Sequence, residues 1–353
     1  MKRENYRILL IAATILIAAF YLYPTYQFYF NPPENPDELE RVKRGSINLG
    51  LDLQGGIHLV LEVDPSKLSE DERRDVVERV QAIITNRVDQ FGVAEPIIQR
   101  EGEWRIVVEL PGIQEVERAQ ALIGRTARLE FKILEPPQER AKVLDRIEDL
   151  LQARAVDDTT RADDAGLFEA RDEEKPSIKR YMTSLPFGED EYDWLVPTDK
   201  LLTVKAILEK DPEVQAVIPK DGQFLWASTS DMLGDNQEYR RLYYVKSRVE
   251  MTGDVVKDAK VTTGQSFENA GQAIINFSTT NDGVKLFSRV TGAHVNERMA
   301  IILDDQIYSA PTIQVKIRDG RGIITGSGSV EEAKDLAIVL RAGALPADVN
   351  IVE

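Results

Sequence analysis

Few places in this chain combine residue types that could do chemistry. In Leu49-Gly-Leu-Asp-Leu-Gln-Gly-Gly56 a single carboxylate, Asp52, sits among Gly50, Gly55 and Gly56. Asp52 has two readings, a catalytic acid or a turn residue whose carboxylate accepts backbone N–H bonds. No second carboxylate, His or Ser nearby completes a catalytic set, which favours the turn. The glycines reach positive φ without steric cost and let another backbone come close, so they predict a tight, covered start to a strand over Ile57–Val63. Asp304-Asp305 resembles a carboxylate pair, but neighbours on a strand point to opposite faces, and a hairpin turn before Ile307 accounts for them better. Gly326-Ser-Gly-Ser329 before a helix looks like a phosphate cradle. It lacks the Gly-Lys-Ser/Thr of a Walker loop and the third glycine of a dinucleotide fingerprint, so it reads as a turn with Ser329 as N-cap. His58 and His294, the only histidines, have no ligand spacing. No nucleophile and base pair up, so neither an enzyme nor a cofactor or metal site is expected.

The 353 residues allow two or three domains, and 42% hydrophobic content is ordinary for globular protein. There are no cysteines, which excludes a disulfide framework, thiolate zinc and cysteine catalysis. A net charge of −16, from 60 acidic and 44 basic residues, argues against nucleic acid or an anionic membrane surface as partner of the soluble part. Lys2, Arg3 and Arg7 precede Ile8–Tyr23, apolar except for Thr14, and Tyr26, Phe28, Tyr29 and Phe30 extend the run with aromatics that favour a membrane interface. A signal peptide would carry small residues of A-x-A type after the apolar stretch; Phe20-Tyr-Leu-Tyr-Pro24 favours a retained anchor. The basic residues place the N-terminus in the cytoplasm and everything after about residue 31 outside it.

Downstream, the pattern predicts strand Ile57–Val63, a capping box at Ser69–Glu72, and a helix carrying Val76, Val77, Val80, Ile83, Ile84, Val88 and Phe91 up to Gly92. A hairpin around Glu101-Gly102, a short helix over 115–123 and a strand Ala127–Leu134 complete the order βαββαβ of a ferredoxin-like unit. A similar order recurs from strand Gln272–Phe277, through a helix over 281–293 and strands 299–303, 307–309 and 322–325, to a helix from Ser329 and a strand Asp348–Val352. The expected class is therefore α+β: anchor (1–30), first half of a duplicated ferredoxin-like base (31–134), an inserted α+β domain (135–245) and the second half (246–353). Within the insert, Glu213–Pro219 and Gln223–Ala227 read as a hairpin and Tyr239–Val249 as a further strand. Phe224, Trp226, Tyr243 and Tyr244 are either an apolar surface for unfolded polypeptide or the insert's own core. Pro136, Pro137 and Gly253 mark the expected hinge joints.

Residues Leu49–Gly56 closely resemble the signature that opens the first periplasmic domain of the SecD family, membrane subunits of bacterial protein export. The C-terminal part resembles the same family over Ile307-Tyr-Ser-Ala-Pro311, the turn to Ser329, and Glu331-Glu-Ala through Leu340-Arg-Ala-Gly-Ala-Leu-Pro346. The resemblance covers all but the insert. It implies structural roles for Gly50, Asp52, Gly55, Gly56, Ser309, Ala310, Pro311, Gly343, Leu345 and Pro346. It also implies a base bearing an inserted head, in the bacterial inner membrane, working with a SecF-like subunit, a YajC-like subunit and the SecYEG translocon on unfolded secretory precursors. The family moves head against base using a proton or sodium gradient. The sequence stops at Glu353, where the family would enter later spans, so ion coupling is not expected here and the chain reads as an N-terminal portion or a split form. The rival expectation is a membrane-anchored extracytoplasmic scaffold that binds a folded partner.

Overall fold

The computed structural model describes residues 3–31, 55–93, 96–163, 177–186, 192–234, 237–264, 271–325 and 329–352, with 33, 35, 38, 41, 42, 45 and 46. Gly50 and Asp52 of the opening motif lie outside them. Helix α1 (Arg3–Phe30) contains Leu10–Phe28, 19 residues of mean hydropathy 1.4, none buried. Among the described residues it is the one helix long and apolar enough to cross a membrane, at about 1.5 Å per residue against a core of roughly 30 Å.

Strand β1 (Gly56–Val63) starts from Gly55 at φ +71 and Gly56 at φ +152, values that only glycine adopts without strain. Gly112 N–H donates to the Gly55 carbonyl at 2.9 Å. The start is exposed, not covered as expected, and nothing described lies within 4 Å of where a Cβ on Gly55 would stand. The Ser69–Glu72 capping box closes on one helical turn, and the chain starts afresh as α2 (Val76–Phe91). Its stripe Val76, Val77, Val80, Ile84 and Val88 is buried, each side chain contributing about 1.5–3 kcal/mol, and Gly92 at φ +87 ends it. Then come β2 (Ile97–Glu101), β3 (Arg105–Pro111), α3 (Val116–Gly124), β4 (Leu129–Ile133) and α4 (Pro137–Asp163).

The middle continues with β5 (Thr183–Pro186), β6 (Tyr192–Pro197), α5 (Pro212–Val217), β7 (Gly222–Met232) and β8 (Glu238–Lys246). The expected strand over 213–219 is instead α5. Pro212 stands at its first turn, and the Asp211 carboxylate accepts the Glu213 and Val214 N–H groups at 3.0 and 3.3 Å, an N-cap that outweighs the β-branched residues. The partner of β7 is accordingly β8. The rest is β9 (Met251–Thr252), β10 (Val256–Thr263), β11 (Ala273–Thr279), α6 (Asn281–Ala293), β12 (Met299–Leu303), β13 (Gln306–Ser309), β14 (Arg321–Ile324), α7 (Val330–Ala342) and β15 (Val349–Ile351). Asp304 and Asp305, at φ +49 and +62, make the tight β12–β13 turn.

The strands form three sheets. The first, β15-β1-β3-β2, has the strand order of a ferredoxin-like unit, but its fourth strand is the C-terminal β15 and not β4. The physical reason is burial. The fourth position is a sheet edge that suits the exposed β15, whereas β4 presents Leu129, Phe131 and Ile133 on one face and Lys132 and Leu134 on the other, all buried. The second sheet is β10-β11-β14, and α7 packs on it and on α2. β12 and β13 are not in it, so the two expected self-contained βαββαβ units are not what the chain forms.

The third sheet, β5-β6-β8-β7-β13-β12-β4-β9, runs through the middle segment and its flanks without a break. Its five central strands close on themselves: Leu134, just after β4, bridges Val245 of β8, and Glu135 N–H donates to the Tyr244 carbonyl at 3.1 Å. The closed run is a small barrel whose interior holds Leu134, Leu225, Ala227, Tyr243, Val245, Ala300, Ile302 and Ile307. Outside it, α4 covers β6, β7 and β8 with Val143, Leu144, Ile147 and Leu151. On the β4 and β12 side, Phe131, Phe277 and Phe287 meet at ring separations of 5.8–6.3 Å.

Candidate functional site

Two buried arginines, neither singled out from the sequence, organise the chain's polar interior. Arg87 lies on the apolar stripe of α2, fully buried. Its Nη1 donates to the carbonyls of Leu122, Ile123 and Arg125 at 3.1, 3.1 and 2.5 Å, and Nη2 to Gly343 at 2.9 Å. These are the carbonyls that the ends of α3 and α7 leave without helical partners. Burial pulls the guanidinium down to about 10, with Asp304 opposing, so it stays charged at neutral pH. Gly343, at φ +94, thereby ties the second family stretch to the first sheet, where Leu345 is buried and its N–H donates to Thr126 O at 2.8 Å. Pro346 is half-buried beside it.

Arg298 precedes β12 and is 3% exposed. Its Nη1 reaches Asp193 of β6 at 2.6 Å and Nη2 the same carboxylate at 3.3 Å, while Nε donates to the Ala310 carbonyl at 2.9 Å. Ser309, Ala310 and Pro311 thus sit where β13 leaves the barrel: Ala310 holds Arg298, and Pro311 accepts the Met299 N–H at 3.0 Å. Asp193 is fully buried and also accepts from Arg241 at 3.1 Å, which in turn holds Asp231 at 2.7 Å. The Arg298 guanidinium lies 5.7 Å from the Tyr243 ring centre. Burial, then the Asp193 charge, pushes the Tyr243 hydroxyl up to about 12. Burial pulls Arg241 down, yet Asp231, Tyr243 and Asp193 together outweigh it and hold that group above its ordinary value. Two carboxylates and two guanidiniums leave the cluster neutral, a joint that needs every member in place.

Of the two readings of the middle-segment aromatics, burial favours the insert's own core over a surface for polypeptide. Trp226 and Tyr243 are 7% and 5% exposed, Tyr244 is buried, and Phe224 is half-buried between Trp194 and Tyr244 at ring separations of 6.1 and 4.7 Å. Their alternating partners on β7 and β8 fill two cores, one on each face, which leaves no face for solvent. Of the hinge candidates, Pro136 is exposed and Pro137 half-buried. Pro136 and Pro137 follow the Leu134–Val245 bridge and begin α4, and a Cβ on Gly253 would come within 2.9 Å of Leu129 Cβ, so this glycine permits close packing.

An opening does exist elsewhere in the middle segment. Between α4 and β5, a cleft of about 250 Å³ is lined by Leu144, Met182, Trp194, Thr183 and Ser184, with Asp145 and Lys179 paired at its rim. β5 ends the large sheet, and among the described residues no strand pairs with its outer edge. The cleft and an unpaired edge therefore coincide. Clusters of three or more metal-binding side chains are absent among the described residues.

Residues 47–67 match the family model of the SecD/SecF GG motif, 77–136 that of the N-terminal part of the SecDF P1 domain, and 229–347 that of the SecDF P1 head subdomain. The protein translocase subunit SecD of Rhodothermus marinus is 30% identical over 455 residues, covering 100% of this chain and 72% of that protein. The chain belongs to the SecD family. The SecD of Elusimicrobium minutum is 36% identical over 353 residues, covering 97% of the chain and 61% of that protein, so this SecD-family chain spans 61–72% of these two relatives. A crystal structure of SecDF in a super-membrane-facing form superposes with TM-score 0.51 at 26% identity, over 100% of this chain and 35% of that one. The matched P1 head stretch, 229–347, runs from β7 through α7 and so crosses the expected boundary at 245.

Proposed function

We propose that this chain is the anchored, extracytoplasmic part of a SecD-like accessory subunit of the Sec translocase, and that it binds emerging precursor polypeptide at β5. The cleft beside the unpaired β5 edge carries the reading. An unfolded precursor offers free backbone N–H and C=O groups to a sheet edge, which is sequence-independent affinity, and intermittent apolar side chains to a shallow pocket. A subunit serving many precursors needs that combination.

In this reading α1 anchors the chain in the bacterial inner membrane with its N-terminus in the cytoplasm, and the partners are a SecF-like subunit, a YajC-like subunit and SecYEG. The segment from α4 to β8 acts as a head on a base made of the remaining strands and helices, whose two halves are related to ferredoxin-like units that exchange strands. The head moves against the base, coupled to an ion gradient through the membrane spans of the family. Support comes from family membership, from α1, and from the barrel seam, where β4 and β8 meet at the Leu134–Val245 bridge and not along a full ladder.

The burial of Trp226 and Tyr243 favours the rival reading, an anchored scaffold for a folded partner. A photo-crosslinking residue at Thr183, exposed on β5, distinguishes the two in membranes carrying a secretory precursor stalled in translocation. Adducts at Thr183 that vanish on release of the precursor, with none at exposed Gln99 on β2, are expected. No precursor adducts at Thr183, with the translocase assembled, would overturn client capture in favour of the scaffold.

A further inference from the structure

We propose that Arg298 and Asp193 are positioning residues that form a charge lock on the barrel seam, holding the head against the base until the seam parts; this rests on the head-movement reading above. One arginine residue joins three places. Arg298 binds Asp193 of β6, the carbonyl of Ala310 beyond β13, and through its own carbonyl the Leu134 N–H at 2.9 Å. Leu134 is the residue that bridges Val245, and the N–H of the next residue, Glu135, crosses the seam to the Tyr244 carbonyl. Among the described residues the other head-to-base strand contact within the barrel is also short, two parallel pairs between β7 and β13, Gln306 with Trp226 and Ile307 with Ala227.

The chemistry explains why charge is used here. A buried ion pair adds little stability over an apolar pair of the same volume, because desolvation offsets the attraction. The difference lies in the parted state. Leucine and methionine would expose apolar area when the seam opened, whereas a carboxylate and a guanidinium regain hydration. A charged contact is therefore firm when closed and inexpensive to separate, and Arg241 with Asp231 keeps Asp193 partnered on the head side. With Asp193 removed, Arg298 is left charged and buried, which biases the seam toward opening.

The experiment is hydrogen exchange on the full chain, paired with precursor export in membranes, for Asp193→Asn and for the apolar double variant Asp193→Leu/Arg298→Met. In Asp193→Asn, exchange at Glu135, whose N–H crosses the seam to the Tyr244 carbonyl, is expected to rise by about 100-fold, the lower end of what breaking a buried pair costs, with the β1–β3 amides unchanged. The double variant is expected to restore seam protection and yet lose export, a separation that a purely structural pair would not produce. Unchanged protection in Asp193→Asn overturns the lock, as does a loss of protection spread evenly over β1–β3. If the seam responds as expected and the protected double variant still exports normally, the contact holds the strands but not a movement: the lock stands as packing alone and the head-movement reading fails.

Discussion

With Leu134 and Val245 both replaced by cysteine, the oxidised protein is expected to support no more export than membranes lacking it, and reduction is expected to restore most of the activity. The two positions are antiparallel partners, and such pairs hold their Cα atoms about 4.5–5.5 Å apart, within the roughly 4.4–6.8 Å that a disulfide spans. The natural chain has no cysteine, so no competing disulfide forms. Both sites are buried, and the loss of side-chain volume costs stability in the reduced and oxidised forms alike. The oxidised-to-reduced comparison therefore isolates the effect of closing the seam. Full export by the oxidised protein would mean that the barrel works closed.

Replacing Arg87 by methionine is expected to destabilise the chain by about 3 kcal/mol, seen as a lowered urea midpoint with the slope unchanged. Methionine fills most of the same space but donates nothing, so the carbonyls of Leu122, Ile123, Arg125 and Gly343 lose their donor at once. Each lost bond to a charged group costs on the order of 1.5–3 kcal/mol, and the buried charge that disappears with it recovers part of the sum. Because α3 and α7 are tied through the one side chain, their amides should lose protection together. A midpoint within experimental error of the natural protein would show that these helix ends find other donors.

Much of the fold is visible in the residues themselves. The α2 stripe with Gly92 behind it, the β2–β3 hairpin at Gly102, the N-cap Ser329 accepting the Glu332 N–H at 3.0 Å, and the Asp304-Asp305 turn all follow from local spacing and turn chemistry. What local pattern does not carry is partnership between distant strands. Nothing within 127–134 says that this strand leaves the first sheet; its burial on both faces does, and that is a property of the assembled molecule. α4 was legible and missed: Val143, Leu144, Ile147 and Leu151 recur at helical spacing beneath the charge that masks them. Arg87 had a signal too, a charge on the apolar face of a helix. Arg298 and Asp193 had none, since they meet across 105 residues. The candidate site followed the same division: the aromatic residues of the middle segment drew notice for their size, and size is what buries them in its cores.

The measurement that bears most directly on client binding is amide exchange at Thr183, Ser184 and Leu185 of β5 in the assembled translocase, with and without a stalled precursor. Pairing of precursor backbone with the β5 edge predicts that the outward amides there become protected while the precursor is held and exchange freely once it is released. Exchange at β5 that is the same in both states would contradict the account.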